Sequence, residues 1–376
     1  MNLCSTATPI LTADGNQLVL ELADKSPPDG QMLARIPLSH HHSDIQAARD
    51  DAFWLGVRAG RLEPELSLYH CQVRPGDRKG YVIDGFWIEL GNESGSFRRH
   101  YPTTVMANLA RQKVLELREA QVVSTGETYR FYLTTCPATP ASSTDSLPLS
   151  GTSRSPRLQL EPADLQAFLA ASQPLSGSSS LPAEASAAPM PVFVTRDVWQ
   201  EGRLHAHAGG TQESAALFSG RLFRDRRSPE VFACFEACLE VCHALQDDKS
   251  VTFTGDTWSH ARHLLSQRRQ RLGRPHEVML ASVHRHPWLP GVDERGSRTC
   301  DACAERATCS RTTAIASADD IQFHRSVFAG QPWATLVVWG YTAREEEDFR
   351  VYGLRNGALE PRSVRVLSRS LETLAR

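Results

Sequence analysis

The sequence predicts an α/β protein in which a small α+β unit precedes a larger α/β sandwich-like domain. Three observations predict it. A stretch dominated by Ser, Pro, Ala, Thr and Gly, from about Pro137 to Pro191, divides the 376 residues. Beyond it, segments of helical and strand period alternate, as in layered α/β domains. Val278–His286 is a nearly continuous apolar run, as expected of a strand buried on both faces of a sheet.

The first unit spans roughly residues 1–136. Leu18–Leu22 and Gly80–Leu90, the latter rich in aromatic and β-branched residues, read as strands, and Tyr129–Leu133 as another. Thr103–Glu119 has helical period, with Val105, Leu109, Val114 and Leu117 on one stripe. The sequence assigns this unit no function beyond recruiting a substrate or partner. Residues 137–191 read as a flexible linker, because such a composition cannot bury enough apolar surface to offset its ordering entropy. One interruption, Pro162–Ala171, has the stripe Leu165, Phe168 and Leu169 of a short docking helix.

The second unit, 192–376, predicts a helix over Val198–His207 stopped by Gly209-Gly210, then a strand over Glu213–Phe223. A helix is expected from Pro229 to about Leu245, a short strand at Val251–Thr254 and a basic-ended helix over Trp258–Arg271. The apolar strand Val278–His286 follows. A helix over Asp319–Phe328, a strand over Ala334–Trp339 and a strand over Phe349–Leu354 entering an Asn356-Gly357 turn complete the order.

Composition excludes several classes. The chain is 41% hydrophobic and 22% charged, with a net charge of −2, so nothing favours nucleic acid or an anionic membrane as partner. No apolar stretch reaches the ~18–20 residues of a membrane span, and no secretory signal is visible. A cytoplasmic location is expected, where the nine cysteines stay reduced and clustered ones suggest metal ligands.

The chemistry concentrates in three pieces. His284 and His286 alternate with Arg285, so in a strand both imidazoles share one face, and Pro287 ends the strand where they emerge. Ser317 and Asp320 precede a helical pattern; they read as a capping box, as a metal ligand with its neighbour, or as both. Glu213 stands before an apolar run, where a carboxylate is costly without a purpose. Asp319 is a rival to Asp320.

Taken in order, Glu213-x-x-x-Leu217-x-x-Gly220, His284-x-His286-Pro287 and Ser317-x-x-Asp320 resemble the JAMM/MPN (JAB) zinc metalloproteases, over about 192–345. The resemblance implies a JAMM/MPN (cytidine-deaminase-like) α-β-α sandwich. It implies catalytic Zn²⁺ held by His284, His286 and Asp320, with Glu213 as general base and Ser317 donating to the oxyanion. It also implies cleavage of a peptide or isopeptide bond at the C-terminal tail of a ubiquitin-like protein, in company with conjugation-pathway enzymes. Alternatives are a non-catalytic MPN scaffold and a processing protease for a sulfur-carrier protein. A nucleic-acid-binding zinc protein would rest only on the cysteines and their neighbouring arginines.

The chain departs from the family in two places. Ala216 stands where glycine is common. About thirty residues separate His286 from Ser317, more than is usual, and they contain Cys300, Cys303 and Cys309. These three suggest a second, structural Zn²⁺, with His324, Asp301 or a residue from elsewhere as candidate fourth ligand; an iron–sulfur cluster and an unliganded trio are the alternatives. Cys234, Cys238 and Cys242 recur every four residues and read as the buried face of a helix. His40-His41-His42 reads as a solvated loop, His260 and His263 as surface residues. Arg268, Arg269 and Arg271 read as a solvated face or a contact for an acidic partner.

Overall fold

The computed structural model describes residues 9–12, 15–25, 30–64, 70–92, 95–124, 128–137, 158–175, 190–210, 212–246, 251–286, 309, 312–328, 330–355, 358–369 and 371–375. They form a mixed α/β protein in two compact units, one within residues 1–157 with 355–358, the other within 158–354 and 359–376.

The first unit contains β1 (Asn16–Ala23), β2 (Met32–Pro37), α1 (Ser43–Arg58), β3 (His70–Pro75), β4 (Arg78–Lys79), β5 (Val82–Ile83), β6 (Gly85–Asn92), β7 (Gly95–Pro102), a 3-10 turn, α2 (Ala107–Glu119) and β8 (Arg130–Pro137). Two sheets result, ordered β2-β1-β8-β5-β4 and β3-β6-β7. The strand expected over Gly80–Leu90 is broken at Asp84, so its halves join different sheets. Helix α1 was not legible because Asp44, Asp50 and Asp51, all buried, interrupt its apolar stripe. Asp44 accepts the Leu109 N–H and Asp51 the Tyr101 hydroxyl, both at 2.8 Å, which repays their burial. The His40–His42 loop ends with His42 at the N-cap of α1.

The second unit begins at Leu158, not at 192. Within the expected linker, β9 (Leu160–Ala163), α3 (Leu165–Ala170) and β10 (Ser172–Pro174) are ordered and belong to this unit. Phe168 is fully buried against Phe193, Phe223 and Phe232, at ring-centroid distances of 5.2, 5.6 and 4.9 Å. Such a cluster of rings supplies the apolar burial that the surrounding composition lacks.

Next come β11 (Val192–Thr195), α4 (Arg196–His207), β12 (Ala215–Asp225), β13 (Val231–Glu240), β14 (Leu245–Gln246), β15 (Val251–Thr252), α5 (Gly255–Leu272), β16 (Val278–Arg285), α6 (Ala318–Val327), β17 (Thr335–Tyr341), β18 (Glu347–Arg355), β19 (Ala358–Arg362), β20 (Val364–Leu367) and α7 (Leu371–Leu374). The main sheet runs β10-β20-β11-β13-β12-β16-β17-β18-β19, with β9 added to the far end of β12. The turn at Asn356-Gly357 lies outside the described residues.

The helix expected from Pro229 to Leu245 is instead β13, a central strand between β11 and β12. A four-residue repeat is a multiple of the strand period as well as nearly one helical turn, so the cysteine spacing did not distinguish them. Val231 to Phe235 is buried without a break, as a strand covered on both faces must be.

Side chains alternate across the sheet and sort the helices into two layers. Phe218 and Trp339 meet Trp199 of α4 on one face. Leu217 and Leu239 pack with Ala261 and Leu265 of α5, and with Phe328 beyond α6, on the other. Two bulges flank one point of β12: Glu236 is the extra residue of β13, and Leu280 that of β16. Gly220 sits between them, where a Cβ would come within 1.9 Å of the Cys234 carbonyl oxygen. No helix among the described residues is long and apolar enough to cross a membrane.

Candidate metal centre

Strand β16 delivers both histidines. His284 pairs with Ala215 of β12 and Val338 of β17, so it stands in mid-sheet on the α5–α6 side and is 5% exposed. His286 follows the strand end, where its N–H donates to the Trp339 carbonyl at 2.9 Å. Its Nδ1 donates to the Thr313 carbonyl at 2.9 Å. That bond fixes the tautomer and leaves the Nε2 lone pair facing the cleft.

Asp320 comes from the first turn of α6. Ser317 is its N-cap: the Ser317 hydroxyl oxygen accepts the Asp320 N–H at 3.1 Å, and the Ser317 N–H donates to Asp320 Oδ2 at 2.7 Å. The capping box and the candidate ligand are therefore one structure. Asp319 is exposed on the cleft rim and is not part of the metal-ligating group.

The three donors converge. His284 Nε2 is 3.1 Å from His286 Nε2 and 3.1 Å from Asp320 Oδ1, and His286 Nε2 is 3.2 Å from Asp320 Oδ2. A tetrahedral zinc with ligand bonds of ~2.0–2.1 Å spaces its ligand atoms about 3.3 Å apart. The nitrogen–nitrogen–carboxylate set and its spacing thus fit one such ion. Glu213, 7% exposed on the loop before β12, places Oε1 3.9 Å from His286 Nε2. It stands beside the donor cluster without joining it.

Electrostatics tie the group together. Burial alone would raise the Asp320 carboxyl, but hydrogen bonds and charge from His284 and His286 hold it well below the usual carboxylate range. Burial lowers His286, yet Asp320, the Thr313 carbonyl and Glu213 outweigh it, and the imidazole ends above its ordinary value.

The cluster lines a cleft of about 690 Å³ whose wall also includes Val251, Phe253, Ile315 and Phe323. Nothing in the sequence marks these apolar residues as a cleft wall, since a cleft wall and a core stripe look alike there. Thr313 also escaped notice, because it acts through a main-chain carbonyl.

The other expected site residues lie elsewhere. Cys300, Cys303 and Asp301 fall outside the described residues, and Cys309 is a partly buried free thiol. His324 is buried against the Phe328 ring at 5.0 Å, its basicity lowered to about 3 by burial and then by Arg362 and Arg325. Cys234 is fully buried, while Cys238 and Cys242 are partly buried. Arg268 and Arg269 are not simply a solvated face. Arg268 binds the Glu277 carboxylate at 2.9 Å, and Arg269 donates to the Glu277 carbonyl at 2.7 Å. His263 is exposed, and His260 is half-buried beside His243.

No family model matches the chain, and no curated protein matches it. Among solved structures, it is similar to the solution structure of protein DSY2949 from Desulfitobacterium hafniense. The two are 16% identical over 49% of this chain and 98% of that one, with a TM-score of 0.31.

Proposed function

We propose that this chain is a zinc hydrolase of the JAMM/MPN type, which cleaves the peptide or isopeptide bond at the C-terminal tail of a ubiquitin-like protein. One observation carries the proposal. Two imidazole nitrogens and a carboxylate stand at the spacing of a single tetrahedral metal, with a second, buried carboxylate beside them, all lining one cleft. The order of these residues along the chain, and helices on both faces of the sheet, support a JAMM/MPN sandwich for the second unit.

His284, His286 and Asp320 would hold the metal and leave one position open, as catalytic zinc sites do. Bound there, zinc would supply Lewis acidity toward an attacking water and the scissile carbonyl. Glu213 would act as the general base, holding a proton on its carboxylate and passing it to the leaving amine. The Ser317 hydroxyl accepts the Asp320 N–H through its oxygen, so its own proton remains for donation to the developing oxyanion. The apolar wall keeps bulk water from an extended tail.

The test is zinc content together with cleavage of ubiquitin fused through its C-terminal tail to a second protein, and of other ubiquitin-like fusions. Glu213→Gln is expected to retain zinc and lose about 10²–10⁴-fold in rate. Full activity in Glu213→Gln, or wild-type protein that takes up no zinc, would falsify the proposal. Stable zinc loading with no cleavage of any fusion would point to a binding scaffold.

A further inference from the structure

Arg285 lies between the two histidines in sequence but on the opposite face of the sheet, where it is 4% exposed. Its guanidinium Nη2 donates to the Gly210 carbonyl and, at 3.3 Å, to the Gln212 carbonyl. Nη1 lies 3.2 Å from His207 Nδ1 and donates to the Tyr341 hydroxyl at 3.4 Å. The Arg285 main-chain N–H donates to the Ser214 carbonyl at 3.2 Å. These contacts bracket Glu213 on both sides.

The same loop is fastened to α4. The Ser214 hydroxyl donates to the Ala206 carbonyl, and the Gln212 N–H to the Gly209 carbonyl at 3.0 Å. Gly210 has φ +63, a left-handed turn that glycine adopts without cost. His207 in turn lies 3.3 Å from Glu347 Oε1, and Arg203 grips that carboxylate in bidentate fashion at 2.6 Å. A buried guanidinium needs acceptors, and here they include two carbonyls of the segment that carries Glu213.

We infer that Arg285 is a positioning residue for Glu213. From behind the sheet it clamps the Gly210 and Gln212 carbonyls and so sets where the Glu213 carboxylate stands in the cleft. Three consecutive residues at the end of β16 thus supply two candidate ligands to the front and the anchor of the candidate base to the rear. The effect on rate rests on the hydrolase reading; the effect on the loop does not.

The test compares wild type with Arg285→Gln and Arg285→Lys in three measurements. These are hydrogen exchange of peptides spanning 208–214 and 278–286, zinc content, and kcat and KM on the linear ubiquitin fusion. In Arg285→Gln, exchange over 208–214 should accelerate on the order of 10-fold, with 278–286 and zinc content unchanged. The kcat should fall about 10- to 100-fold at constant KM, because a misplaced base affects the chemical step and not tail binding. Arg285→Lys, which keeps the charge and most of the stem but not the fork, should lie between. Wild-type exchange over 208–214 in both variants overturns the inference, and so does a fall in rate that accompanies loss of zinc. If Arg285→Gln does not fold, Arg285→Lys decides by the same criteria. If wild type cleaves nothing, the hydrolase reading fails, while the exchange of 208–214 still decides the role of Arg285.

Discussion

Asp320 belongs to two structures at once: it closes the capping box of α6 and faces both imidazoles. Its neighbour Ser317 combines a cap with a candidate oxyanion donor, and the two roles can be separated. Ser317→Ala should cost about 1 kcal/mol of stability from the lost cap, and about 10²–10³ in rate from the lost donor. Ser317→Asp should restore the melting temperature, since aspartate caps well, but not the rate, since an ionised carboxylate has no proton to give. Thermal melts and steady-state kinetics on both variants check this. At this scale the sequence was legible where a side chain acts through its own type and spacing. His284 and His286 needed only strand alternation, and Asp320 only a helix start. Arg285 and Thr313 were not legible, because what they do depends on which carbonyl faces which group after folding.

At the scale of elements, the segment 158–175 is the instructive case. Its flanks are poor in apolar residues, yet Phe168 and Leu165 carry enough burial to fix α3 in the core. Phe168→Ala should destabilise the second unit by about 3–5 kcal/mol, read as a shift in its urea midpoint. A true linker would show no change. Strand β12 depends on Gly220 for the close approach of its neighbours. Gly220→Ala should cost about 1–3 kcal/mol by overpacking against the Cys234 carbonyl, measured the same way. The elements read well where apolar period was unambiguous, as in β16 and α4. They failed where buried polar residues broke the pattern, as in α1, and where helix and strand periods coincide, as in β13.

For the molecule as a whole, the proposed metal uptake would compete with proton binding at one place. The Asp320 carboxyl is held below its ordinary 3.8, so its pairing stabilises the metal-free fold above about pH 4 and is lost as pH falls through the folded value. His286 is raised above 6.5, so its share is complete below that pH and is lost as pH rises through the folded value. The metal-free pair therefore contributes most between these limits. Zinc requires the neutral imidazole, so its stabilising effect should grow as pH rises above about 6.5. A gain in melting temperature of about 5–10 °C is expected at pH 8 with zinc at ~100 times its dissociation constant. The gain should shrink at pH 5.5 and vanish in Asp320→Asn. Scanning calorimetry of chelator-treated and zinc-loaded protein measures it. The start of the second unit at Leu158 was not legible, because residues 158–175 share the small-residue bias of the sequence around them.

The bulge at Leu280 has a consequence for heredity. One added residue in β16 sets the parity of everything after it, and so decides which surface receives imidazoles and which receives a guanidinium. Deleting Leu280 while the pairing before it is kept would exchange front and back: Arg285 would enter the cleft, and both histidines would face α4. The residue could be exchanged for another of similar bulk with little effect, but it could not be lost. A gene encoding this chain can drift in spelling at that codon far more freely than it can drift in length.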